Sequence, residues 1–305
     1  MTIRKTRRVI GLVSAAVVLS LSLAACGDDS GDDAGSGDSG SKGAIKVGAF
    51  NFPESLLLAN IYADALKKAG YDASITQLTT REVVEPALQK GDIDVVPEYL
   101  SSTLNFYQAS AATSDDDANL AKLKQLAEAK GVTVYTPAPA TDNYAYVVSK
   151  DFSDTNSVTS LSELAEYTKK TPVTLGGPQE CADRSYCKPG LEKTYGMKIG
   201  GFKVIVLSSQ PAVDGLLKNT YQVAVFNSSD GVLATNPVLT LKDDKGLNPN
   251  DYIIPAVNAK KSTAELQQAL DGISAKITQD ELLRMNKETQ VDRRPVDKVA
   301  EDFVG

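Results

Sequence analysis

From residue 45 onward the chain alternates short apolar runs with longer stretches whose apolar residues recur at helical spacing. Residues 45–49 read as a buried strand. Leu57, Ile61 and Leu66 then fall on one helix face, opened by Pro53-Glu54 and closed by Gly70. Residues 73–78 are a second strand, 83–88 a helix, Gly91 a turn, and 93–96 a short buried strand. Further helices are predicted near 118–129, 161–167, 212–217 and 264–283. Further strands are predicted near 132–135, 144–148, 173–175, 204–207, 223–226 and 253–257. Strands and helices alternating at this spacing predict an α/β protein with largely parallel sheets. No internal repeat is visible in the sequence.

The N-terminus departs from this pattern. Arg4, Lys5, Arg7 and Arg8 precede an apolar run over 9–25 that ends in Leu23-Ala24-Ala25-Cys26. A basic start, an apolar middle and small residues at the end define a secretory signal, and the run is slightly short for a span of ~20 residues. Leu-Ala-Ala-Cys resembles the bacterial lipobox, which predicts that 1–25 is a removed signal peptide and Cys26 the lipid-modified first residue. The alternatives are an uncleaved anchor helix or a plain signal with a chance cysteine. Losing 1–25, with four basic and no acidic residues, takes the formal charge from −7 to −11. Residues 27–42 are Gly, Asp, Ser, Ala and one Lys. Such a composition cannot repay its ordering entropy, so 26–43 is expected to be a lipid-anchored flexible tether. The body is thereby placed outside the cytoplasm at a membrane surface.

Composition narrows the chemistry. A length of 305 residues suits two domains of ordinary size. The absence of histidine excludes Ser-His and Cys-His nucleophiles and His-ligated metals, and neither metal nor cofactor is expected. There is no tryptophan, so an aromatic surface must come from 12 Tyr and 7 Phe. A net negative chain lacks the basic face that a nucleic-acid partner requires. Cys181 and Cys187, six apart in an oxidising compartment, are expected to form a disulfide. They lack further ligands for a metal, and a redox pair is more usually C-x-x-C.

Several short motifs occur in a telling order. They are Asn51-Phe52-Pro53-Glu54, Leu88-Gln89-Lys90-Gly91-Asp92-Ile93-Asp94, Pro97-Glu98-Tyr99 and Asp142-Asn143-Tyr144-Ala145. Gly176-Gly177-Pro178, Gly190-Leu191-Glu192-Lys193-Thr194-Tyr195-Gly196 and Leu217-Lys218-Asn219 extend the series. Together they resemble the substrate-binding proteins of osmoprotectant ABC importers, the glycine betaine/carnitine/choline family, from about residue 45 to 304. The resemblance implies a two-lobed periplasmic-binding-protein fold of type II, with lobe one at 44–145 plus 250–305 and lobe two at 146–249. It implies a ligand cleft between lobes that close by a hinge motion. The protein would be a non-catalytic, monomeric receptor delivering a small osmolyte to the membrane subunits of a permease driven by a cytoplasmic ATPase.

A quaternary ammonium group neither donates nor accepts hydrogen bonds, and aromatic faces attract it by about 0.5–2 kcal/mol each. A carboxylate at the ligand's other end calls for an Arg fork or backbone N–H groups. By the resemblance, Tyr99 and Tyr144 are cage walls and Arg184 grips the carboxylate; Tyr146 lies on the same strand face as Tyr144. The sequence departs from the family pattern at three places. Asn227 stands where an aromatic is common, with Phe226 one place early; Asp251 stands where a Tyr is usual, beside Tyr252; Ser55 replaces a Gln. Asn51, Ser55, Phe226, Asn227 and Asp251 join the candidate set, and a carboxylate at 251 offers a cation an attraction of its own. Two other readings remain: the same fold holding a ligand without a quaternary ammonium, or an exported carboxylate hydrolase using Asp92, Asp94 and Glu98.

Replacing Cys26→Ala is expected to leave the body folded and abolish membrane attachment. Fractionation after signal cleavage checks this, and continued partitioning with membranes defeats the lipoprotein reading.

Overall fold

The computed structural model describes residues 41–305; the signal, Cys26 and the tether up to residue 40 lie outside the described residues. Packing begins at Lys42, whose N–H donates to the Gly70 carbonyl and whose ammonium sits over the Tyr71 ring.

Two five-stranded sheets organise the chain. The first is built from β1 (Ala44–Ala49), β2 (Asp72–Gln77), β3 (Val95–Tyr99), β4 (Val132–Val134) and, from near the C-terminus, β10 (Ile253–Asn258). The second takes β5 (Tyr144–Ser149), β6 (Val173–Gly177), β7 (Ile199–Val204), β8 (Val223–Asn227) and β9 (Val238–Thr240). Their orders are β2-β1-β3-β10-β4 and β7-β6-β8-β5-β9. Each sheet thus reads second, first, third, crossing strand, fourth, a structural repeat that the sequence does not display. Parallel pairing holds for β2-β1-β3 and β7-β6-β8, while β10 and β5 run antiparallel to both of their neighbours. The expectation of largely parallel sheets is corrected here to mixed ones. The reason is topological: β5 and β10 are the first strands after the chain crosses from one sheet to the other.

Local chemistry accounts for the elements around the first sheet. Helix α1 (Pro53–Lys68) carries Pro at its first position, Glu54 in its first turn, and Lys67 and Lys68 in its last, all favoured by the helix dipole and by proline's missing N–H. Its face of Leu57, Leu58, Ile61, Tyr62 and Leu66 is fully buried. Helices α2 (Arg81–Lys90), α3 (Leu100–Tyr107) and α4 (Asp116–Glu128) follow, the last capped by Asp115 accepting from the Ala118 N–H at 3.0 Å. The strand expected at 93–96 runs instead to Tyr99. Pro97 does not end it, because it faces Pro255 across β3 and β10 and neither residue has an N–H to leave unpaired. The helix expected over 264–283 is two, Ala264–Ser274 and Gln279–Asn286, with Thr278 capping the second. The strand expected at 204–207 lies at 199–204, with Val204 exposed at its end and Val206 exposed beyond it. Helix α3 and the C-terminal helix Val296–Val304 were not foreseen.

One core lies around the first sheet and includes Leu266, Leu270, Leu282, Met285 and Val299 from the C-terminal helices. The second sheet divides two clusters by strand alternation: Tyr146, Val148 and Val225 face one, Ala145, Val147, Ala224 and Phe226 the other. The C-terminal segment also reaches the second sheet's side. Asn286 Nδ2 donates to the Ser229 carbonyl at 2.8 Å, and Gln279 Nε2 to that of Ser228 at 3.2 Å.

Gly231 makes that approach possible. A Cβ there would stand 2.5 Å from the Lys287 nitrogen and 2.6 Å from the Asn286 carbonyl carbon, both backbone atoms. Gly231→Ala is therefore expected to destabilise the protein by about 1–3 kcal/mol, as overpacking does; urea unfolding measures it, and an unchanged midpoint contradicts the close approach.

Candidate functional site

A cavity of about 280 Å³ opens at the carboxyl ends of strands from both sheets and beside both crossing segments, at the small end of ligand pockets and where open α/β sheets bind ligands. Phe52 follows β1, Arg81 opens α2 after β2, and Tyr99 is the last residue of β3. Asn227 ends β8 and Tyr144 begins β5, the two being directly paired. Arg184 and Tyr186 come from the loop after β6, closed by the Cys181–Cys187 disulfide.

The crossing segments are tied to each other. Asp142 N–H donates to the Asp251 carbonyl at 3.0 Å, and Thr141 and Tyr252 form an antiparallel bridge. Asn143 Nδ2 donates to Asn250 Oδ1 at 2.8 Å, and Asn143 Oδ1 accepts from the Asp251 N–H at 2.6 Å.

Four rings line the cavity in two pairs. Phe52 and Tyr99 lie 6.1 Å apart, tilted by 37°; Tyr144 and Tyr186 lie 5.8 Å apart, nearly edge to face at 61°. The Tyr99 hydroxyl donates to Glu54 Oε1 at 2.7 Å, and Asn286 Nδ2 donates to Glu54 Oε2 at 2.6 Å. Burial, followed by the nearby Glu54 carboxylate, drives the Tyr99 phenol well above its ordinary range, so it stays a donor. Burial raises Glu54 as well.

The charged groups are mostly committed. Arg81 grips Glu98 through Nε at 3.1 Å and Nη2 at 2.9 Å, and its guanidinium lies 5.2 Å from the Phe50 ring centroid. Asp251 Oδ1 accepts the Ser101 N–H at 2.8 Å and the Ser102 N–H at 3.0 Å, and Oδ2 takes the Ser102 hydroxyl. Asp251 therefore caps α3 from a distant part of the chain, satisfying first-turn N–H groups that have no partner within the helix. Burial raises its carboxyl, opposed by these bonds and by Arg81. Asp142 accepts from the Ser229 hydroxyl at 2.6 Å; burial, then Glu54, Asp230 and Asp251, hold its carboxyl well above its ordinary value. Arg184 is the less encumbered cation: it is 42% exposed, donates to the Tyr144 hydroxyl at 3.0 Å, and stands 3.8 Å from Glu180.

Of the sequence-predicted residues, Tyr99, Tyr144, Arg184, Asn227 and Asp251 meet in this cavity. Phe226 does not: opposite Ala145 rather than Tyr144, it lies on the other face of the sheet and is fully buried in the core. Tyr146 is buried, its hydroxyl donating to the Tyr186 carbonyl at 2.5 Å. Ser55 is buried with its Oγ accepting the Phe50 N–H at 2.8 Å, and Asn51 accepts from Gln77 Nε2 at 3.4 Å; neither lines the cavity. Asp92, Asp94 and Glu98 do not converge. Asp92 is exposed, Asp94 accepts the Lys46 N–H at 2.8 Å, and Glu98 is locked by Arg81. Phe52, Arg81, Asp142 and Tyr186 were not singled out, although Phe52 and Asp142 lie within recognised motifs and Tyr186 is two residues from Arg184.

The arrangement brings together aromatic rings, one partly free guanidinium and hydrogen-bonding amides, groups that suit a small molecule carrying a diffuse cation and a carboxylate. Comparison with known proteins agrees in class. Residues 43–305 match the substrate-binding domain of ABC-type glycine betaine transport systems, and the chain belongs to that family. It is 27% identical over 272 residues to the glycine betaine-binding protein YehZ of Escherichia coli (strain K12), covering 85% of this chain and 89% of that protein. The structure of apo YehZ from E. coli superposes with a TM-score of 0.74 at 26% identity, covering 86% of this chain and 97% of that one. That of a glycine betaine/carnitine/choline ABC transporter protein gives 0.77 at 22% identity, covering 85% and 97%. The fold is that of the periplasmic binding proteins.

Behind Arg81, Glu85 is buried against Glu98, accepts from Tyr107 and leaves Oε1 without a partner. Burial, then the Glu98 charge, pushes it up to about 8. The native state therefore holds this proton between the ordinary carboxylate value of about 4.3 and about 8, and stability falls as pH rises through that window. Glu85→Gln keeps the shape without the proton, so its stability should decline less between pH 5 and pH 8, by more than about 1 kcal/mol. Urea unfolding of both proteins at the two pH values decides this; parallel declines contradict it.

Proposed function

We propose that the chain is the extracytoplasmic solute-binding receptor of an ABC importer, capturing a small osmoprotectant such as glycine betaine, choline or carnitine and delivering it to a permease. The observation that carries the reading is the cavity itself: Phe52 and Tyr99 face it from the first sheet's side, Tyr144 and Tyr186 from the second's, with Arg184 at its edge. Four faces surround a methylated ammonium without asking it for hydrogen bonds, while Arg184 answers a carboxylate. The names of the similar proteins, glycine betaine-binding among them, support the same ligand class. In this reading the lobes are 44–145 plus 250–305 and 146–249, and they close on the ligand about the crossing segments. A diacylated Cys26 and the acidic tether hold a monomeric, non-catalytic body at the membrane. Asn227, standing where an aromatic is common in the family, gives the ligand a hydrogen-bonding amide in place of a ring.

Calorimetric titration with glycine betaine, carnitine and choline tests the reading. Tyr99→Ala and Tyr144→Ala should each weaken binding by ~1–2 kcal/mol, about five- to thirtyfold, and the corresponding Phe variants by less, since the ring face persists. Arg184→Ala should weaken glycine betaine and spare choline, which has no carboxylate. Absence of binding by all three compounds removes the quaternary-ammonium reading and leaves a receptor for some other small molecule.

A further inference from the structure

The loop closed by Cys181 and Cys187 contributes two cavity side chains, Arg184 and Tyr186, yet it has little regular structure beyond the single turn Gln179–Ala182. Asp183, Arg184 and Ser185 are exposed, whereas both cysteines are fully buried within the second sheet's core. A short exposed polar loop of this kind ordinarily samples many conformations. Three contacts oppose that here. The disulfide joins the loop's ends with Cα atoms 5.1 Å apart. The Tyr146 hydroxyl donates to the Tyr186 carbonyl at 2.5 Å. Gly190 admits the Ser185 carbonyl so closely that a Cβ there would lie 2.2 Å from its oxygen. The Tyr186 ring then meets Tyr144 at 5.8 Å, with the Arg184 guanidinium 5.8 Å from its centroid.

We propose that the Cys181–Cys187 bridge and the Tyr146 hydroxyl are positioning elements that hold Tyr186 and Arg184 ready for ligand. This rests on the receptor reading for the ligand's identity, but not for the ordering of the loop. A wall ordered beforehand loses less freedom when ligand arrives, and affinity rises accordingly. The bridge therefore matters to binding through Tyr186 and Arg184, not through the stability of the fold as a whole.

The chain has no tryptophan, so Tyr186→Trp gives a single fluorescent reporter at the wall itself. In the mature full-length protein, adding Cys181→Ser with Cys187→Ser should raise acrylamide quenching of the reporter about threefold or more and lower its anisotropy, as release of a local constraint does. Tyr146→Phe, which keeps the ring and the disulfide, should move both in the same direction by less. A reporter equally protected in all three proteins overturns the proposal. The second arm titrates choline, which does not use Arg184. The serine pair should weaken choline about tenfold when Tyr186 is present and less than about twofold once Tyr186→Ala has been made, the non-additivity expected of coupled residues. Equal weakening in both backgrounds reduces the bridge to a general stabiliser and also overturns the proposal. If the unaltered protein binds neither choline nor glycine betaine, the ligand reading fails, while the reporter still decides whether the loop is held.

Discussion

Asn143 fastens together the two segments on which the chain passes between sheets. Its side chain donates to Asn250 and accepts from the Asp251 N–H, while its own N–H donates to the Ser228 hydroxyl. Asn143 thus ties the outgoing segment, on which it lies, to the returning segment and to the residue that follows β8. The cavity residues Tyr144, Asn227 and Asp251 are neighbours of these contacts in sequence, so their positions follow from it. The cavity therefore lies next to the place where the two sheets are joined.

Charge is distributed so that the cavity does not compete with itself. Arg81 and Asp251 both line it, yet Arg81 is engaged by Glu98 and Asp251 by the first turn of α3. Buried ions of this kind contribute little net stability, but removing one partner leaves the other unpaired at high cost. Both side chains help to form the cavity wall, where Arg184 is the more loosely paired cation. The hydroxyls of Tyr99 and Tyr144 are likewise occupied, the first by Glu54 and the second by Arg184.

What could be read beforehand was what local pattern controls. Helix α1, the strand at 144–148, the disulfide and three of the rings or cations of the site follow from periodicity, from cysteine spacing and from a recognised series of motifs. What could not be read depends on long-range pairing. Whether Phe226 or Asn227 faces the cavity is decided by the register of β8 on β5, and a one-residue slip would exchange them. Asp251 suggested a counter-charge for a cation because nothing near it in sequence announces that α3, some 150 residues earlier, lacks a cap. Arg81 was silent for the same reason: its partner Glu98 and the Phe50 ring reach it only through the fold. The reversed directions of β5 and β10 record the chain's route between sheets, which composition and periodicity do not encode.

That route also sets an order of assembly. The second sheet is drawn from one continuous stretch, 144–240, and its strands can pair as soon as that stretch exists. The first sheet cannot be finished so early. Among the described residues β4 pairs with β10 alone, and β10 also closes on β3, across more than half of the polypeptide. Closing so long a loop costs more entropy than closing a local one, and non-local pairings form slowly. The stretch that forms the second sheet is thus the natural first folding unit, although it lies in the middle of the chain. Until Ile253–Asn258 arrives, the exposed edges of β3 and β4 are the part of the newly made protein most open to wrong partners.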